Sequence, residues 1–366
     1  MYLIDAHEDL AYNVLEFGRD YTRSAAQTRQ IERETGSWAP AFNGLSMLGY
    51  PDYREARTAA VFATLFAAPE RGRLGEWQQV FYRTPDAAHR IYRRQLDVYH
   101  RMCDDHPDKF ALVRTRSDLT AAIERLDGRE QMDPPSGPVG LIVLMEGAEG
   151  VRSVDELELW WEGGVRIIGP AWIGTRFCGG TREPGPLTTA GEALLEAMPD
   201  FGFTLDLSHM DEQAALQALD SYEGHLLASH ANCLALLKGS DSNRHLSDPV
   251  ISGIVERGGV IGVVPYNAFL KTGWKKGDNR AEVTLEDLID HIDHICQVAG
   301  DSAHAGFGTD FEGGFGRDET PVGLDTIADL QRIPPLLETR GYGREDIAGI
   351  MGGNWAKLLA RALPAG

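Results

Sequence analysis

A chain of 366 residues that is 43% hydrophobic can bury a large core, enough for one domain or two. Its 35 basic and 55 acidic residues give a formal net charge of −20, and no long basic run interrupts that balance. Such a surface repels nucleic acid and anionic membrane, and it leaves a small-molecule substrate open.

In chain order, the first apolar segment is 2–6 (YLIDA), followed by a long excursion over 18–57 that holds SWAPAFNGLSMLGY. That excursion, aromatic and glycine-rich, is read either as a cover over a site or as plain surface. The second segment is 58–67, and 76–105 reads as one long amphipathic helix or a pair. A helix over 117–126 is expected to take Ser117 as its N-cap, and a second excursion is expected at 128–138. Further apolar segments follow at 139–145, 165–171, 202–208, 225–229, 259–265 and 305–309. Helical patterns lie among them at 211–222, 246–258 and 284–300.

Most of the eight apolar segments are too short for helices and are apolar nearly throughout. That is the pattern of strands covered on both faces, as in a parallel sheet. The repeated alternation predicts the α/β class: a single (β/α)8 TIM-like barrel over 1–366, with a doubly wound sheet as the alternative. No GxGxxG follows the first segment, which disfavours a dinucleotide fold. GGFGRD at 313–318 lacks the lysine of a phosphate loop and is read as a flexible loop. Cys103, Cys178, Cys233 and Cys296 are far apart and form no CxxC, so a reduced, cytoplasmic protein is expected. No apolar run reaches the ~18 residues that span a bilayer, and the opening residues lack the pattern of a secretory leader.

Polar residues fall at the ends of these segments. The first ends in His7 and Asp9, the third in Glu146, the fifth in His209, the sixth in His230 and the eighth in Asp310. In a barrel, those carboxyl ends meet on one rim, where catalytic groups gather. A lone strand-end histidine is more often structural than a ligand; six such residues at one topological place point to a metal site. Imidazoles with carboxylates form an N/O donor set that suits zinc and also accepts iron, cobalt, nickel or manganese. In an extended chain, residues 7 and 9 share one side and Glu8 faces away. His89, His100, His106 and His245 are less persuasive. His225 and His304 sit at the opposite ends of their strands, and His291 and His294 are expected on an exposed helix face.

These residues carry a resemblance. DAHEDL, EGAEGV, DLSHM, ASHANC, GFGTDFEGG and the closing GGNWAKLL occur in one order over nearly the whole chain. Together they resemble the membrane (renal-type) dipeptidase family, the zinc dipeptidases of metallopeptidase family M19. The resemblance implies a binuclear zinc hydrolase that cleaves dipeptides, L,D-dipeptides among them, by metal-activated hydroxide. It further implies His7 and Asp9 as ligands of one zinc, Glu146 as the bridge, and His209 and His230 as ligands of the second. Asp310 then resembles the acid/base, and Arg244 the arginine that receives the substrate carboxylate. A homodimer is implied on the same ground.

Two positions depart from the family pattern. Glu8 stands where the opening motif usually has asparagine. Trp172, in RIIGPAWIGTRFCGG, stands where the family carries a histidine that polarises the scissile carbonyl. An indole has one N–H donor and relays no proton. Losing an oxyanion donor typically costs about 3–4 kcal/mol. Trp172 itself, Arg176 or a shifted group could supply the donor. The alternatives are a related substrate, such as an N-acyl amino acid, a lactam or a lactone, and a catalytically impaired metal-binding homologue.

Overall fold

Short segments that are apolar on both faces need cover on both sides, and here they obtain it by closing into a ring of parallel strands. The computed structural model describes residues 1–127 and 137–366. The ring strands are β1 (Leu3–Glu8), β2 (Thr58–Leu65), β3 (Val139–Glu146) and β4 (Val165–Gly169), then β5 (Thr204–Asp206), β6 (Leu226–Leu227), β7 (Ile261–Val263) and β8 (Ala305–Phe307). Each pairs with its sequence neighbours, and β8 returns to β1 through Asp5 and Phe307. The β6–β7 seam is thin, a bridge between Ala228 and Ile261. All eight expected segments therefore become barrel strands.

Inside the ring, Ile4, Ala6, Phe62, Ile142, Leu144, Ile167 and Leu227 form a fully buried cluster with Trp355. Trp355 belongs to the closing helix Asn354–Ala362, which lies beneath the amino ends of the strands, close to Tyr2 and Ile4. Its indole N–H donates to the Phe307 carbonyl at 3.0 Å. A Cβ at Gly306 would stand 2.4 Å from that indole nitrogen, so the strand there has room only for glycine. The lower face is thus a sealed, stabilising end, and the upper face is left for chemistry.

Local chemistry shifted two expected boundaries. The 76–105 pattern becomes a helix only over Pro85–Asp105, because Thr84 caps it and Pro85, lacking an N–H, suits its first turn. The helix expected over 117–126 runs Arg116–Asp127, and its cap is Thr115, not Ser117. The Thr115 hydroxyl accepts from the Asp118 N–H, while the Asp118 carboxylate accepts from the Thr115 N–H at 2.9 Å. Ser117 instead donates to the Ala365 carbonyl. The excursion over 18–57 folds into short helices at Ala25–Thr35, Ala39–Asn43 and Tyr50–Glu55. The one expected at 128–138 falls, apart from its last two residues, outside the described residues. Among the described residues, no helix is long and apolar enough to cross a membrane.

Candidate metal centre

The barrel geometry decides which polar residues meet. Glu146 is the last residue of β3, and His7 and Asp9 lie at the end of β1. His209, His230 and Asp310 follow β5, β6 and β8 within a few residues. All six are buried or nearly so at one rim. Three groupings bring candidate ligand atoms within 4.8 Å of one another: His7, Asp9 and Glu146; Glu146, His209 and His230; and His7, His230 and Asp310. Among the described residues, no other histidine joins such a grouping. Glu146 Oε1 lies 3.0 Å from His209 Nε2 and 3.5 Å from His230 Nε2, and its Oε2 lies 3.9 Å from His7 Nε2. One carboxylate therefore stands between two histidine clusters.

Hydrogen bonds aim the rings. Ser229 donates to Asp206 and receives His230 Nδ1 at 2.7 Å, which turns the Nε2 lone pair toward Glu146. Thr181 Oγ1 holds His209 Nδ1 at 2.9 Å, with the same effect. Facing each other, His209 Nε2 and His230 Nε2 are 2.9 Å apart. Asp9 Oδ1 is buried with no hydrogen-bond partner. Converging lone pairs and an orphaned carboxylate oxygen form a donor set that fits two zinc-type ions sharing Glu146.

Electrostatics agree with that fit. Burial, with Asp9 and Asp310 beside it, pushes Glu146 well above the usual carboxyl range. Burial likewise raises Asp310, again with Asp9 contributing. Burial and Arg244 lower His7 to about 3, and His209 and His230 fall well below the usual histidine value, so all three rings are neutral donors. This gives a pH test. Burial raises Asp9 to about 7 from 3.8. A raised folded value means the native state holds the proton more tightly, a contribution complete below pH ~4 and lost as pH rises through about 7. His7 acts oppositely, its contribution being lost as pH falls below ~6.5. Above ~6.5 only the carboxyl contribution changes. Metal-free protein should therefore melt at progressively lower temperature from pH 6.5 to 8, and zinc should flatten that slope. Melting curves with and without chelator check it.

A cavity of about 290 Å³ opens onto the cluster, at the small end for ligand sites. Arg244 lines it, buried, with Nη2 donating to the His230 carbonyl at 2.8 Å. Its Nε and Nη1 have no partner. Trp172 also lines the cavity and meets Phe66 edge-on at 4.9 Å. Arg176, the other candidate donor, is turned away: its guanidinium donates to the Val151 carbonyl and sits over Phe177. Arg182 lines the cavity instead, in a left-handed conformation at φ +67°.

Glu8 is fully buried and outside the ligand groupings, as alternation predicts. Its carboxyl accepts from the Tyr53 hydroxyl, and burial with Asp5 nearby raises it well above the usual range. Two residues past Asp310 lies a group that sequence reading missed. Glu312 is fully buried and accepts from Arg19 Nη1 at 2.7 Å, Tyr21 Oη and Ser46 Oγ at 2.8 Å, and the Met47 and Leu48 N–H groups at 2.7 and 2.9 Å. Burial would raise its pKa, but Arg19 and these donors hold it below the ordinary value. It ties the 18–57 excursion to the rim, so that Phe42 and Asn43 become cavity wall. Glu312→Ala leaves Arg19 with Glu32 and the Gly44 carbonyl as partners, but it strips the buried Arg19 Nη1, the Tyr21 and Ser46 hydroxyls and the Met47 and Leu48 N–H groups of a shared acceptor. It is expected to cost about 3–5 kcal/mol. Denaturant unfolding, with faster proteolysis within 18–57, would register it. His291, expected on an exposed face, is buried and accepts from the Cys233 N–H at 3.1 Å. Its partner lies 58 residues away, beyond any local pattern.

Residues 1–363 match the family model described as membrane dipeptidase, peptidase family M19. An uncharacterized protein from the pqqA 5′ region of Klebsiella pneumoniae is 31% identical over 231 residues, which is 60% of this chain and 81% of that protein. Dipeptidase aclJ of Aspergillus oryzae is 25% identical over 366 residues, 98% of this chain and 77% of its own. In fold, the chain resembles a metallo peptidase from Rhodobacter sphaeroides liganded with a phosphinate mimic of L-Ala-D-Ala. That likeness has a TM-score of 0.77 at 23% identity and covers 99% of each chain.

Proposed function

The chain belongs to the membrane dipeptidase family, peptidase family M19, and from that premise we propose that it hydrolyses the amide bond of dipeptides, L,D-dipeptides included. The observation that carries this reading is one buried carboxylate, Glu146, shared by two ligand groupings in a cavity that Arg244, with unpartnered N–H groups, also lines. His7, Asp9 and Glu146 would hold one ion, and Glu146, His209 and His230 the other. When bound, such a pair supplies Lewis acidity, lowering the pKa of water and neutralising charge on an attacked carbonyl oxygen.

The chain's own groups do the rest. Arg244 presents two N–H donors to the substrate carboxylate and fixes that end of the dipeptide. Asp206, through Ser229, and Thr181 keep the imidazoles in the donor tautomer. Asp310 takes the proton of the attacking water and passes it to the leaving amine nitrogen, acting as base and then acid. Arg244 offsets part of the rise that burial imposes on Asp310.

A single assay tests the reading. Zinc-loaded protein should turn over L,L and L,D dipeptides and ignore N-acyl amino acids and lactones. The reverse pattern would favour the second reading, a related non-dipeptide substrate. Trp172 motivates that second reading, because its indole N–H has no acceptor among the described residues and stands where the family has an imidazole. Homodimer formation and a cytoplasmic setting belong to the same proposal. Four unpaired cysteines agree with the latter, and light scattering tests the former.

A further inference from the structure

The cavity mouth carries more exposed aromatic surface than a metal site requires. Trp38 is 41% exposed, Phe42 39% and Leu74 60%. Phe42 stacks on Trp77 with ring centroids 4.6 Å apart, and Trp38 meets both at 5.6–5.7 Å. Single exposed apolar residues are ordinary, but a contiguous patch opening into a cleft marks a binding surface. Phe42, Leu74 and Trp77 line the same cavity as Glu146 and Arg244, and Trp172 lines it too.

Topology places this patch. Leu74 and Trp77 lie in the connection after β2, and Trp38 and Phe42 in the connection before it. Arg244 lies in the connection after β6. In a ring of eight, β2 and β6 are four strands apart, directly across the barrel. An amide held over the metal cluster, its carboxylate on Arg244, therefore extends its other end toward the aromatic patch. The patch is also held ready. Glu16 accepts from the Gln79 and Val80 N–H groups at 2.9 and 2.6 Å, and Gln78 Oε1 accepts from the Leu74 N–H at 2.9 Å. Gln78 Nε2 donates to Tyr12 at 3.1 Å. Such bracing lowers the entropy lost on binding.

We propose that the aromatic rim formed by Phe42, Trp77 and Trp38 receives the side chain of the substrate's N-terminal residue and selects dipeptides in which that residue is large and apolar, aromatic above all. This rests on the dipeptidase reading and adds a substrate class to it. The test compares Phe-Ala with Ala-Ala on zinc-loaded protein, as kcat/KM. In parallel, calorimetry measures the affinities of the corresponding phosphinate analogues, which are not turned over. The Phe form should be favoured by about tenfold or more in both measurements. Trp77→Ala and Phe42→Ala should each shrink that ratio toward one. Both side chains are partly exposed, so the variants are expected to fold. Equal kcat/KM for the two dipeptides would overturn the rim assignment and leave the dipeptidase reading standing. No turnover of either dipeptide would overturn the dipeptidase reading, and the phosphinate affinities would then decide the rim by themselves. Equal affinities, or a ratio that both variants leave untouched, would overturn it.

Discussion

Glu146→Ala is expected to leave a folded barrel that no longer retains two zinc ions and has lost its turnover. The two ligand groupings that bracket the cavity floor meet only at this carboxylate. Without it, those two groupings fall to pairs, His7 with Asp9 and His209 with His230, below the three protein ligands usual for catalytic zinc. The grouping of His7, His230 and Asp310 survives and offers a place for one ion, not two. Folding should survive, because burial already raises the Glu146 pKa far above the usual range. In the absence of metal, burial and the neighbouring Asp9 and Asp310 disfavour its charged form, so its removal strands no buried countercharge. The loss belongs to function: several kcal/mol of charge stabilisation disappear, on the order of 10³-fold or more in kcat. Metal analysis, circular dichroism and a dipeptide assay on one preparation separate the effects. Two tightly held ions in the variant would contradict the bridging role.

Asp310→Asn is expected to behave differently, retaining both ions and the fold while kcat falls by roughly 10²–10⁴-fold. The substitution keeps the shape of the side chain and removes its ability to take a proton. The backbone also tolerates it. Asp310 sits at φ +55°, in the left-handed region where asparagine is among the few residues at ease. Its main-chain N–H to the His7 carbonyl, at 3.1 Å, is untouched. Space around the carboxylate is guarded by Gly313, where a Cβ would lie 1.9 Å from Asp310 Oδ1. Gly313→Ala should accordingly reproduce part of the kcat loss by moving the acid without replacing it. If Asp310→Asn instead emptied the site of zinc, Asp310 would be a ligand with His7 and His230 rather than a proton carrier.

Much of this was legible in the linear sequence for a simple reason. A strand covered on both faces must be apolar nearly throughout, so the eight barrel strands stand out as short apolar runs. A polar residue at the carboxyl end of such a run must emerge at the rim. His7, Asp9, Glu146, His209, His230 and Asp310 were visible on that logic, and the structure does bring them to one rim. Helix starts were less legible, because a cap is a matter of one hydroxyl's geometry. Thr115 and Ser117 are two residues apart, equally suited in type, and only the position of Asp118 separates them.

What the sequence determined by itself, then, is the strand pattern and the set of polar residues at the strand ends, because both follow from period and burial over a few neighbouring residues. Contacts between connections far apart in the chain were decided by the tertiary structure alone. Arg176 and Arg244 are both loop arginines; folding turns one onto the Val151 carbonyl and seats the other in the cavity. Glu312 holds residues 19 to 48 through bonds that cross more than 260 positions, so no local pattern announces it. Phe42 and Trp77 stack across the two connections that flank β2. Packing between distant loops depends on how the barrel closes, and closure is a property of all eight strands together.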